Sequence, residues 1–172
     1  MRETSRRMAV CGLLCALAVV LMLLGGVIPL AVYACPILVM AVLLPIQEQY
    51  GARAALAAWA AVSVLSALLV PQTEQTCVYV FLGWYPAVQP RLDRLRQPVR
   101  FLGKLVLFNG AVAALYFFIL RILGLTEAME DFSGLSRAML ALTVLLGNLV
   151  FFLTDQLLRR LRQQKPWKRF LK

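Results

Sequence analysis

The chain has 172 residues, of which 62% are hydrophobic and only 15% charged; soluble domains carry about a quarter charged residues and about half apolar ones. It has no histidine, which excludes a His general base, a His metal site and a Ser-His dyad. Its net charge of +10 would suggest nucleic acid in a soluble protein, but in a chain this apolar the placement of the charges matters more, and no nucleic-acid partner is expected.

Arg2, Arg6 and Arg7 precede a run without charge from Met8 to Ile46. That is far longer than the roughly 7–15 apolar residues of a signal peptide, and the weak lipoprotein-like box Val32–Cys35 is followed by more apolar sequence, so a retained helix is expected. Gly25, Gly26 and Pro29 supply a turn, because Gly bends freely and Pro removes a helix donor. Membrane spans are predicted at 8–28, 36–47, 54–70, 76–88, 105–123 and 138–158. The second and fourth fall short of the roughly 20 residues that cross a bilayer; each is expected to tilt, to draw on interfacial residues, or to sit inside the bundle away from lipid. The fold expected is an all-α polytopic membrane helical bundle of about six transmembrane helices, one domain over 1–172 with a basic tail at 159–172.

Charge placement tests this count. With the N-terminus in the cytoplasm, the inner pieces are residues 1–7, the 48–53 turn, the 91–104 loop and the tail. All of the 18 Lys and Arg residues except Arg121 and Arg137 lie there. The outer loops hold Glu74, Glu127, Glu130 and Asp131. This is the positive-inside pattern, and six spans with both termini cytoplasmic satisfy it at every loop.

Within Val78–Arg100, the sequence GWYP at Gly83–Pro86 closes the fourth span. Trp84 and Tyr85 are read as interfacial aromatics, and Pro86 and Pro90 as helix ends. Between Pro90 and Pro98 only a short helix fits, with Leu92 and Leu95 on one face and arginines around it. Arg91, Arg94 and Arg96 then either anchor the topology on anionic lipid or dock a cytoplasmic partner; the C-terminal basic tail has the same two alternatives.

Charges inside a membrane are functional candidates by default. Asp155 stands one turn before Arg159, an adequate i,i+4 pair; Glu48 is expected to pair with Arg53 or Arg7. Asn109 and Asn148, each beside a glycine, either join helices five and six by hydrogen bonds or line a solute path. Small residues recur at helical spacing at Ala9, Gly12 and Ala16, at Ala54, Ala57, Ala58 and Ala61, and at Gly110 and Ala114. These let helices approach closely, within the bundle or, for helix one, against a second membrane protein. Cys11 and Cys15 are read as packing residues, while Cys35 and Cys77 near the outer surface are a candidate disulfide in an oxidising compartment.

On the outer face, Tyr33, Gln72, Thr73, Glu74, Gln75, Thr76 and Tyr79, with Thr126, Glu127, Glu130 and Asp131, are either ordinary loop residues or contacts for a small polar solute. No paired carboxylates at catalytic spacing, no Cys-x-x-Cys and no phosphate loop is present. Neither enzyme activity nor a cofactor or metal is expected.

The basic N-terminus followed by MAVCGLLCALAVVLMLL, the six short spans, the two inner termini and the size under 200 residues resemble the substrate-binding S component of energy-coupling-factor transporters, or a related bacterial six-span family. The resemblance covers most of the chain as a general layout. It implies capture of a vitamin or similar micronutrient from outside, a membrane coupling subunit and cytoplasmic ATPases as partners, and the bacterial cytoplasmic membrane as location. In that family small residues spaced by four on helix one face the coupling subunit; the matching positions are Gly12 and Ala16, with Ala9 a turn earlier. The competing expectation is a non-transport scaffold or assembly protein that recruits partners through its basic inner loops.

Overall fold

The structure, a computed structural model, describes residues 2–26, 31–121 and 137–164, and every regular element among them is a helix. Helix α1 runs over Arg2–Gly25, starting before the expected Met8 because nothing in the charged N-terminal turn breaks a helix. Gly25 and Gly26 end it, with the Gly26 N–H donating to the Leu23 carbonyl at 3.1 Å.

Helix α2, Ala31–Leu69, holds both the second and third predicted spans, and its backbone leaves the helical region at Gly51 (φ 83°, ψ 175°). Only glycine takes that φ without strain, so the bend lies inside the turn expected at 48–53. The first limb, residues 31–50, is longer than the predicted 36–47 and, at about 1.5 Å per residue, is about 30 Å long. Pro36 and Pro45 are accommodated within it.

The fourth predicted span is not one helix. Helix α3, Thr73–Leu82, stops, and helix α4, Tyr85–Asp93, begins two residues later. Helix α5, Gln97–Arg121, takes in the end of the predicted 91–104 loop; Pro98 sits in its first turn, where a missing N–H costs nothing. Helix α6 covers Arg137–Gln164.

The chain divides into two compact units, Met1–Arg91 with Leu158–Lys172, and Leu92–Leu157. In the first, α1 packs along α2 and α3, and Met22, Val39, Ile46, Val62 and Tyr79 are wholly buried in one cluster, with Cys11 and Cys15 packed against it. In the second, α5 lies on α6 through stacked aromatic pairs, Phe108 on Phe151 (4.5 Å) and Phe101 on Phe152 (4.9 Å).

Four stretches are long and apolar enough to cross a membrane: Ser5–Gly25, Tyr33–Leu69, Gln97–Phe118 and Ala141–Gln164. Their outer faces carry leucine and other large apolar side chains, among them Leu13, Leu68, Leu145 and Phe117. In water so much exposed apolar surface would be a liability; against lipid it is the expected surface of a multi-pass membrane protein.

Candidate functional site

The break between α3 and α4 is built by Gly83, Trp59 and the prolines. The Gly83 N–H donates to the Tyr79 carbonyl at 2.7 Å, and Trp59 Nε1 approaches the same oxygen at 3.4 Å. A Cβ on Gly83 would stand 2.8 Å from the Tyr79 ring and 2.9 Å from the Trp59 ring, so only glycine lets α2 close over this point. Pro86 cannot donate to Leu82, and the chain restarts as a new helix. Tyr85 is 2% exposed and Trp84 is half-buried, with its Nε1 donating to the Phe81 carbonyl at 2.6 Å. Tyr85 is therefore an interior packing residue where an interfacial aromatic was expected, while Trp84 is only partly covered.

Further along, Pro90 lacks the N–H that would satisfy the carbonyl of Pro86. Arg162 of α6 fills this gap, with Nη2 at 3.4 Å from that oxygen and 3.1 Å from Gln47 Oε1. Gln47 Nε2 in turn donates to the Ala87 carbonyl at 3.3 Å. Arg162 is also the ion-pair partner of Glu48 at 3.1 Å, where Arg53 or Arg7 was expected. Arg7 instead stacks over the Tyr50 ring at 4.9 Å. The sequence could not reveal these partners, because they come from helices far apart in the chain.

Helix α3 turns a polar face inward. Gln72, just ahead of the helix, and Gln75, Thr76 and Tyr79 recur at i, i+3, i+4 and i+7, one helical face. Gln75 and Tyr79 are 0% exposed and Thr76 6%. The two glutamines meet the end of α1, whose last carbonyls have no helical donors. Gln75 Nε2 donates to the Met22 carbonyl at 2.9 Å and Gln72 Nε2 to the Gly26 carbonyl at 2.6 Å. Gly25 and Gly26 allow this: a Cβ on either would run into a glutamine side chain.

The other ends of these groups are unmatched. Among the described residues, Gln72 Oε1, Gln75 Oε1, Thr76 Oγ1 and Tyr79 OH have no hydrogen-bond partner, nor do the hydroxyls of Ser63 and Ser66. The serines lie on α2 between Trp59, which meets Tyr79, and the turn into α3, at the helical spacing that keeps them on the same face of α2. Buried polar atoms are nearly always paired, so six unpartnered oxygens in one helical unit single it out.

Of the residues expected to contact a solute, Gln72, Gln75, Thr76 and Tyr79 belong to this face. Tyr33 and Glu74 are exposed. Asn109 and Asn148 are elsewhere, in the unit of residues 92–157, where their amides pair reciprocally at 3.0 and 3.3 Å and each also donates to its own helix. They join α5 to α6, the first of the two alternatives. Cys35 and Cys77 are buried free thiols. Ala9, Gly12 and Ala16 are exposed on α1, and nothing lies within 4 Å of a Cβ placed on Gly12 or Gly110. The close approach expected at Gly110 is thus not made among the described residues. Arg91, Arg94 and Arg96 are exposed. The outer-loop candidates Thr126, Glu127, Glu130 and Asp131, and the tail from Lys165 on, lie outside the described residues.

One cluster had no counterpart in the expectations. Lys104, placed by sequence in a loop, is a residue of α5, and its side chain is 1% exposed. Its Nζ donates to Asp93 Oδ1 at 2.6 Å and to Asp155 Oδ1 and Oδ2 at 2.7 and 2.9 Å. Asp155, read as one end of a pair with Arg159, thus has a partner on the neighbouring helix. The ammonium has three protons and three carboxylate oxygens to receive them, an arrangement in which a buried charge is tolerated.

No protein-family model, curated protein or solved structure matches this chain.

Proposed function

We propose that this multi-pass membrane protein binds a small solute at the inward polar face of α3 and serves as the substrate-binding subunit of a transporter. The observation that carries the proposal is the broken span: two short helices end to end, with buried polar oxygens that lack partners on the inward face of the first. Membrane transport proteins place their sites at discontinuous helices, because interrupted backbone and polar side chains are tolerated only where they line a site or pack inside protein.

The layout proposed with it is six crossings, counting the two limbs of α2 separately and α3 with α4 as one, with both termini in the cytoplasm of a bacterial cell. Nothing in the chain resembles an ATPase, so energy would come from partners, as in the energy-coupling-factor transporters that the sequence resembles. The exposed small-residue face of α1 at Ala9, Gly12 and Ala16 is then the surface for a membrane coupling subunit, and cytoplasmic ATPases complete the assembly. Purification of the full chain in mild detergent tests this. A membrane subunit and ATPases are expected to co-purify, together with a bound small molecule; recovery of the chain alone and empty would reject it.

A second function is favoured by the exposure of Arg91, Arg94 and Arg96: a scaffold that recruits cytoplasmic partners through its basic inner turn. Replacing the three arginines with glutamine would then abolish partner recruitment, whereas a transport subunit would keep its solute.

A further inference from the structure

We infer that the ligand held by the α3 face is uncharged and presents N–H or O–H donors. This rests on the solute-binding function proposed above and narrows its chemistry.

The amide orientations carry the first half of the inference. Gln72 and Gln75 each point an N–H toward a carbonyl at the end of α1. That choice fixes where the oxygens go: both Oε1 atoms are buried and lack a donor among the described residues. Flipping either amide would set oxygen against carbonyl oxygen, so the site cannot adapt by rotation. The remaining unpartnered groups, the hydroxyls of Thr76, Tyr79, Ser63 and Ser66, can donate or accept. The fixed demand is therefore for donors. A ligand supplying them relieves the cost of the unpaired acceptors, and one that brings only acceptors meets the two amide oxygens without a hydrogen.

The second half comes from what is missing. Among the described residues, the buried polar and charged ones are Gln47, Ser63, Ser66, Gln75, Thr76, Gln89, Lys104, Thr154 and Asp155. The two charged ones, Lys104 and Asp155, both fall in the unit of residues 92–157. In the unit that contains the α3 face, no buried residue among those described is charged. Glu74, the acid on α3, is exposed, and Arg162 is engaged with Glu48, Gln47 and the Pro86 carbonyl. An ion entering here would find no buried counter-charge among the described residues of this unit, which is strongly unfavourable. Amides, ureas, alcohols and neutral heterocycles with ring N–H groups fit both halves. Carboxylates, phosphates and ammonium compounds do not.

The test is a thermal-shift screen of the full chain in detergent against small molecules in matched sets, each amide beside its carboxylate and each alcohol beside its amine. Stabilisation by uncharged donor-bearing members is expected, with their charged counterparts at least about 100-fold weaker; sites built to hydrogen-bond an OH or NH discriminate by this much or more. Thr76→Val, which keeps the shape and removes one hydroxyl, and Gln75→Leu are expected to abolish it. Should Gln75→Leu fold poorly, Thr76→Val decides alone. Stabilisation by a carboxylate or amine, lost in Thr76→Val, would overturn the charge class and leave solute binding standing. If no compound gives stabilisation that depends on Thr76 or Gln75, both are overturned.

Discussion

Gln75 on α3 holds the open end of α1, its Nε2 2.9 Å from the carbonyl oxygen of Met22, while its own Oε1 is buried without a partner. One side chain thus combines a structural half and an unsatisfied half. Gln75→Leu removes both halves but leaves the carbonyl of the buried Met22 without its donor, so a net destabilisation of the free protein by about 1 kcal/mol is expected. Thr76→Val acts in the opposite direction. Its Oγ1 has no partner, so its removal is expected to stabilise the free protein by about 1 kcal/mol, or about 2–4 °C in Tm for a chain of this size. A residue that weakens the empty protein but is needed by the loaded one is the signature of a binding site. Thermal unfolding of the two variants without added ligand checks the pair of signs.

Lys104 and its two aspartates should behave as a single unit. Lys104→Met leaves the Asp155 carboxylate, 4% exposed, without its ammonium. The expected loss is about 3–5 kcal/mol, since removing one partner of a buried ion pair costs more than the pair contributes. Replacing the pair together, Lys104→Met with Asp155→Leu, should recover most of it, because the half-exposed Asp93 can hydrate. A double variant as unstable as Lys104→Met alone would contradict the ion-pair account. The readout is detergent-solubilised melting at fixed salt.

Two glycines give opposite predictions. Gly83→Ala puts a methyl against Tyr79 and Trp59 and is expected to cost about 1–3 kcal/mol, as overpacked sites do. A Cβ on Gly12 meets nothing, and losing a helical glycine favours the helix, so Gly12→Leu should melt no lower than the wild type. If the exposed face of α1 receives a coupling subunit, the same Gly12→Leu should nevertheless abolish co-purification of that subunit. Undiminished melting with unchanged co-purification would remove Gly12 from the proposed interface.

The sequence was informative where a single residue type has a single physical consequence. The apolar runs foretold α1, α5 and α6, and Gly51 delivered the bend expected between the second and third spans. The asparagine pair was foreseen because an amide inside an apolar helix needs a partner. The misread points depended on distant residues. The sequence GWYP looks like a helix end; that a second helix restarts there depends on Trp59 packing on Gly83 and Arg162 reaching Pro86. Lys104 looks like a loop residue until Asp155, 51 positions away, is brought against it. Thr76 and Tyr79 were visible as polar residues in an apolar helix. Gln72 and Gln75 were candidates too, but the role of their amides depends on the free carbonyls at the end of α1, which only the fold reveals.

Native mass spectrometry of the protein released directly from membranes addresses the central claim most directly. A small-molecule adduct is predicted on the wild-type chain and its loss is predicted in Thr76→Val, with the variant otherwise intact. A wild-type chain without an adduct, or an adduct retained in both Thr76→Val and Gln75→Leu, would contradict a solute site on the inward face of α3.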